Sequence, residues 1–502
     1  MSPATVMPWK RDGQLDRHGS TGPTAPPSEE CNNMVFSSPI FFFLFLPLTL
    51  LFYALSPRFL RNFVLLFASA CFYAFGELQH LALLGVSIVV NYSGGIWIAG
   101  GVGDARKRRL FVLVATNIAG LIWYKYAGFF ATNLNAISDW LGLNLHAAVP
   151  NIALPLGISF FTFHAISYLV DVFRRKVEPQ RDPFASALYI LLFPQLIAGP
   201  IIRYHDIAHQ LHERTTRLPD FAEGCRRIVI GLSKKLLVAN PMGAIADAIY
   251  ATPVAELSSG AAWLAAIAYA LQIYFDFSAY SDMAIGLCRL FGFRIRENFN
   301  YPYIADSIQD FWRRWHISLS TWFRDYVYIP LGGNRHGKLR THVNLLTVFF
   351  LCGLWHGASW NFIVWGLFHG LFLVLERTAW GDILAKLPSI ARTAYTFLVV
   401  VIGWVLFRAD SLGGASDLVA RMFWPADGRL VGEFIDPLGW LVLVAGVLTA
   451  GPWLGRWMLS DGGPESGTAR QLRTAVAFTV LACICFIALF STTYNPFIYF
   501  RF

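Results

Sequence analysis

Two tryptophan–histidine pairs stand 40 residues apart in this chain, Trp315-His316 and Trp355-His356. The first lies in FWRRWHISLSTWFRDYVYIPLGGNR and the second in LCGLWHGASWNF. A neutral imidazole in a water-poor cavity takes a proton from a hydroxyl. Either histidine therefore has the chemistry of a general base for hydroxyl attack on a thioester. Ionisable side chains inside hydrocarbon are costly, which makes an intramembrane histidine a functional-site candidate by default. The competing reading is a polar helix–helix hydrogen bond. His356 stands beside Gly353, Gly357, Ala358 and Ser359, small residues that let backbone or substrate come close, and it is the stronger candidate for the base. His316, flanked by aromatics, suits a base, a substrate-orienting group or a charge-stabilising group equally. Trp315, Trp355, Arg313 and Arg314 flank the histidines as candidate substrate-binding residues, and Asp310 and Asn361 are further polar candidates. The 40-residue separation puts the histidines on two different elements, which the fold has to bring together.

Those elements are membrane helices. Of 502 residues, 56% are hydrophobic, 16% aromatic and 14% charged, against roughly 25% charged in a soluble domain. This composition predicts an all-α polytopic membrane protein. The net charge of +9 sits in short gaps between apolar runs, as membrane orientation requires, so no nucleic-acid partner is expected. Seven cysteines form no C-x-x-C pair, which argues against a disulfide scaffold or a zinc site. A spanning helix needs about 20 mostly apolar residues. Candidate spans lie at 38–55, 62–76, 81–99, 110–128, 152–173, 184–202, 222–239, 260–291, 342–354, 359–375, 393–408, 438–458 and 474–491. About 11 to 13 transmembrane or re-entrant segments are expected, with the bilayer as constant partner.

Residues 1–33 are rich in Pro, Gly, Ser and Thr and lack an apolar run. They are expected to be a disordered extension. Met34-Val35-Phe36-Ser37-Ser38 reads as a natural start, and initiation there would leave the extension untranslated. Residues 34–502 are expected to form a single membrane domain with its core motifs in 150–375. Arg106 to Arg109 and Arg174, Arg175, Lys176 and Arg181 follow the third and fifth spans, whereas 129–150 holds no Lys or Arg. This alternation places the basic loops in the cytoplasm. It fails after the sixth span, where Pro194, Gly199 and Pro200 predict a broken or re-entrant segment.

Residues 292–340 are too charged to span and too aromatic for a plain loop. Trp312, Trp315, His316, Leu319, Trp322, Phe323 and Tyr326 recur at three-and-four spacing, which predicts one amphipathic helix ended by Pro330, Gly332 and Gly333. Three other patterns fall short. The run Gly332 to Leu339 nearly spells a phosphate-binding loop, but Leu339 stands where Ser or Thr must hold magnesium. His205, His209 and His212 have metal-ligand spacing but lie beside Glu213 and Arg214, as on a solvated face, so no metal is expected. Gly157-Ile158-Ser159 lacks the second glycine of a nucleophile elbow. His369 reads as a packing or tunnel-lining residue.

The stretch YFDFSAYSDMAIGLCRLFGFRIRENFNYPYIADSIQDFWRRWHISLSTWFRDYVYIPLGGNR, followed by LCGLWHGASWNFIVWGLFHG, resembles the membrane-bound O-acyltransferase family. MVFSSPIFFFLFLPL, PQLIAGPIIRYHDI and NPFIYFRF resemble its alginate O-acetyltransferase branch. The resemblance runs from Met34 to Phe502 and leaves residues 1–33 unmatched. It implies that His356, in Trp-His-Gly, is catalytic, and that His316, in Arg-Trp-His, is the second functional position. It also implies a ring of helices around a central tunnel, with donor and acceptor approaching from opposite faces. The implied donor is a substrate thioester such as acetyl-CoA rather than a bound cofactor. The implied partner is a periplasmic acetyltransferase of an exopolysaccharide-modifying complex, and the implied location is the bacterial inner membrane. Peptidoglycan, teichoic acid and cellulose are alternative acceptors. A transporter of a lipid-linked sugar or ion is the reading from another class.

Overall fold

The computed structural model describes residues 34–491 apart from Val35, Asn144, Ala198 and 454–467. The expected disorder of 1–33 and the terminal motif NPFIYFRF lie outside the described residues. Every regular element among those residues is a helix, and pairing of the β type is confined to one bridge between Leu257 and Arg429. Eight helices position the site. They are α1 (Gly103–Trp140), α2 (Ile158–Phe173), α3 (Ser259–Leu290), α4 (Ile308–Arg314), α5 (Ile317–Phe323), α6 (Gly337–His356), α7 (Trp360–Leu375) and α8 (Ser389–Arg408).

Each candidate span carries helix, but not every helix crosses a bilayer by itself. By length and apolarity five described helices do so: Arg58–Ala99, α1, Leu218–Tyr250, α3 and α8. Counting α7 with its bent continuation Ala379–Ala385 makes six. Phe41–Leu55, α2, Pro437–Thr449 and Ala475–Ser491 are apolar but shorter. Among the described residues, the expected 11 to 13 segments are reached neither by these five or six helices nor with the four shorter ones added. The stretch expected to break does so. Helix Pro183–Leu191 stops at Leu192, a four-residue turn Phe193–Leu196 follows, and Gly199 to Arg203 runs without helix. Irregular backbone at membrane depth survives only when its polar groups are satisfied inside protein. Here Ile201 N–H donates to Ser318 Oγ at 3.0 Å, and the Ile202 carbonyl accepts from Tyr189 Oη at 2.8 Å.

Helix α3 lies at the centre, with nearly all of its length buried. It still carries carboxylates, because each has a cation opposite: Lys235 reaches Asp276 at 2.7 Å and Lys234 reaches Asp282 at 2.6 Å. A buried charge is tolerable in this setting when it is paired. Helices α6 and α7 cross backbone to backbone. A Cβ on Gly353 would fall 2.3 Å from the Phe362 carbonyl oxygen, and one on Gly366 would fall 2.2 Å from that of Phe349. The small residues near His356 thus serve, in large part, the crossing of two helices, as small residues commonly do in membranes. Gly366→Val is expected to lower unfolding free energy by at least about 2 kcal/mol through overpacking. Gly85→Ala, with open space around the new methyl group, is expected to be neutral or stabilising. Thermal unfolding of the purified variants in detergent checks both.

Candidate active site

The single amphipathic helix expected across Trp312 to Tyr326 is two short helices with a hinge between them. Trp315 is extended, and His316 adopts φ 44° and ψ 53° before α5 begins. A left-handed backbone at a residue with a side chain costs about 1–3 kcal/mol and persists only where its surroundings enforce it. The enforcing residues lie upstream. Asn300 N–H donates to the Arg314 carbonyl at 2.9 Å, and Ile317 N–H donates to the Asn298 carbonyl at 2.9 Å. The Asn298 side-chain oxygen accepts from Ser318 N–H at 3.1 Å and from Ser318 Oγ at 2.8 Å. These bonds replace helical ones and break the helix at the histidine. The spacing reading held for burial, because all seven of the recurring residues are buried.

The same contacts define the proton on His316. An atom that accepts from a backbone N–H is an oxygen, so Asn298 presents Oδ1 to this cluster. Its Nδ2 donates to Ser281 Oγ of α3 at 3.0 Å. His316 Nδ1 lies 3.2 Å from that same Oδ1, so Nδ1 carries the hydrogen and Nε2 carries the lone pair. The His316 ring is fully buried, with Phe277 edge-on at 4.6 Å.

His356 is the last residue of α6, and Gly357 leaves the helix in an extended conformation. Three aromatic rings box its imidazole: Trp355 at 4.9 Å, Trp365 at 5.0 Å and Phe407 at 5.1 Å. Among the described residues no hydrogen bond is made to that ring, and 8% of the residue's surface stays open. Trp355 joins the two histidines, with its ring 6.0 Å from His316 and its other neighbours, Phe160 and Phe163, on α2. The Trp355 ring neighbours both imidazoles, at 6.0 Å from His316 and 4.9 Å from His356. The fold thus gathers His316, His356 and Trp355 at one place.

The other candidates lie further out. Trp315 packs on Trp404 at 4.8 Å and Phe299 at 5.1 Å. Arg314 pairs with Asp310 at 2.7 Å one turn away, and Arg313 is exposed. Asn361 donates to the Ala409 carbonyl at 2.6 Å and ties α7 to the end of α8. His369 is wholly buried, with Trp365 at 5.2 Å and Trp312 at 5.3 Å. His205, His209 and His212 turn to three different partners: Asp171, Glu213 and Gln180. Among the described residues no group of three potential metal ligands converges.

A cavity of about 220 Å³ opens along α5, with Ile317 rather than His316 in its lining. Ile317, Ser318 and Thr321 form one wall, the irregular segment Pro200 to Arg203 another, and Arg294 to Glu297 the third. Arg203 bonds both Asp206 and Asp325, and Arg296 reaches Asp206 at 2.8 Å. Burial opposes ionisation of Asp325, but the guanidinium groups of Arg324 and Arg203 outweigh it and hold the carboxyl below its usual range. The pair with Arg203 therefore stays charged at neutral pH. Asn298, Ser281 and Arg203 had no place among the sequence candidates. A polar residue inside a buried aromatic run was the one available sign of Asn298.

The fold is that of a polytopic, all-helical membrane protein, and sequence similarity makes it an O-acyltransferase. The model of MBOAT, the membrane-bound O-acyltransferase family, matches residues 110–407, more than half of the chain, and the chain belongs to that family. It is 47% identical over 399 residues to a probable alginate O-acetylase, AlgI, of Azotobacter vinelandii, covering 79% of each chain. It is 34% identical over 522 residues to a peptidoglycan O-acetyltransferase of Helicobacter pylori, covering 93% of this chain and 98% of the relative. A teichoic acid D-alanyltransferase of Bacillus subtilis is 29% identical over 279 residues, 52% of this chain and 69% of the relative.

Asn298→Leu keeps the number and branching of side-chain heavy atoms but removes the acceptor of His316 Nδ1. It is expected to lower acyl transfer about 10- to 100-fold, the usual effect of losing the partner that orients a functional histidine. Turnover per folded molecule, normalised by gel filtration, checks it.

Proposed function

We propose that this protein transfers acetyl groups from a cytoplasmic thioester, acetyl-CoA, across the bacterial inner membrane for O-acetylation of an exopolysaccharide such as alginate. His356 is the general base. The acceptor hydroxyl attacks the thioester carbonyl, so that a C–O bond forms and the C–S bond breaks. The hydroxyl proton passes to His356 and then to the departing thiolate. His316, with Nδ1–H anchored, directs Nε2 toward the reacting groups and orients or polarises them. The aromatic box keeps water from the thioester.

The observation that carries this reading is the convergence of two imidazoles on Trp355, whose ring lies 6.0 Å from that of His316 and 4.9 Å from that of His356. Arg203, Arg294 and Arg296 line the cavity and are held there by Asp206, Asp325 and Asp220, and the donors those pairs leave over would meet the phosphate groups of a coenzyme A thioester. On this reading the cavity is the donor arm of a tunnel between the two membrane faces. The acetyl group passes to a periplasmic acetyltransferase partner, which completes transfer to the polymer. The name of the Helicobacter relative makes peptidoglycan the competing acceptor.

His356→Ala is expected to insert normally and to lose CoA release and polymer acetylation by about 100- to 10,000-fold, the range of general acid–base catalysis. Mass spectrometry of envelope polymers from cells carrying the variant reads both the loss and the acceptor. Full acetylation would overturn the assignment of the base.

A further inference from the structure

Lys125 sits within α1, a helix long and apolar enough to cross the bilayer, and is flanked by Trp123, Tyr124 and Tyr126. A cation at such depth needs a partner, and this one has the end of α6. Its Nζ donates to the Trp355 carbonyl at 2.6 Å and the His356 carbonyl at 3.0 Å, with Ser159 Oγ at 3.4 Å as third acceptor. The adjacent Tyr126 Oη donates to the Leu354 carbonyl.

A helix leaves its last four carbonyls without intrahelical donors. In α6 these belong to Gly353, Leu354, Trp355 and His356. Gly357 N–H takes the first at 3.4 Å, Tyr126 the second, and Lys125 the last two. The helix stops at the histidine because Gly357 turns extended. The backbone that carries the imidazole is therefore clamped from α1, and the ammonium group also offsets the negative end of the α6 dipole. The side chain of His356 makes no hydrogen bond among the described residues, so its direction depends on this backbone and on the aromatic box.

We propose that Lys125 is the positioning residue of His356, acting through the two peptide carbonyls. The proposal rests on His356 being the base. A positioning residue changes the chemical step and leaves donor binding in place, and a residue able to span the same carbonyls restores it. In the purified full chain with acetyl-CoA and a saturating hydroxyl acceptor, Lys125→Met is expected to lower kcat about 100-fold, as a small misplacement of a catalytic group does, with KM for acetyl-CoA changed less than about threefold. Lys125→Arg is expected to recover turnover to within about tenfold of the parent, since a guanidinium offers several donors in one plane. Ser159→Ala, which leaves both carbonyl contacts, is expected to stay within about twofold. Unchanged kcat in folded Lys125→Met overturns the proposal, and so does a raised KM at constant kcat. If Lys125→Met does not insert, folded Lys125→Arg carries the test, and a loss of about 100-fold or more there overturns it. His356→Ala run in parallel separates the two claims. Turnover that survives in it removes the base itself, whereas its loss beside a fully active Lys125→Met removes the role of Lys125 alone.

Discussion

The carboxamide of Asn298 is the contact on which the geometry of the site depends. It is wholly buried, and each of its polar atoms has a job. Oδ1 gathers Ser318 N–H, Ser318 Oγ and His316 Nδ1, while Nδ2 reaches Ser281 on α3. In a low-dielectric interior a satisfied polar network is rigid and an unsatisfied one is costly. The network therefore holds His316 in a left-handed conformation that its backbone would otherwise avoid. Through Ser318 it extends to Ile201 and so fixes the irregular segment that walls the cavity. Hinge, tautomer and cavity wall share one set of hydrogen bonds.

Around this network the protein builds its own apolar solvent. Phe163 stacks on Trp322 at 3.7 Å, Trp355 rests against α2, and Trp365, Trp404 and Phe407 close the far side. Close packing of that kind requires helices to approach closely, which is the task of Gly353 and Gly366. Glycine beside a catalytic candidate invites the reading that substrate approaches there. In this protein the nearest visitor is the neighbouring helix, and the cavity lies beside Ser318.

Much of this was legible in the amino-acid pattern, since apolar length marks spans and three-and-four spacing marks buried faces. Pro194, Gly199 and Pro200 announced the broken segment because they act locally on the backbone. The hinge at His316 was not legible, since Trp312 to Tyr326 has uninterrupted helical spacing. What breaks it is a long-range bond from Asn298, and periodicity carries no record of such bonds. Lys125 escaped for the same reason, being 230 residues from the carbonyl it caps. Arg313, Arg314 and Asp310 stood out by proximity in sequence, yet two of them pair with each other and the third is exposed.

The two histidines differ in a way that bears on their roles. A general base must change protonation state within each turnover, and a hydrogen bond held at Nδ1 fixes which nitrogen does so without preventing it. His316 has Nδ1 committed to Asn298, and its backbone is part of the hinge. That commitment suits a group presenting one fixed nitrogen lone pair. The His356 ring meets aromatic faces and edges and makes no hydrogen bond among the described residues, while the protein's grip falls on its carbonyl instead. Holding the backbone and leaving the imidazole unencumbered separates position from protonation. The place of the His356 imidazole is thereby set through its backbone and does not depend on its proton.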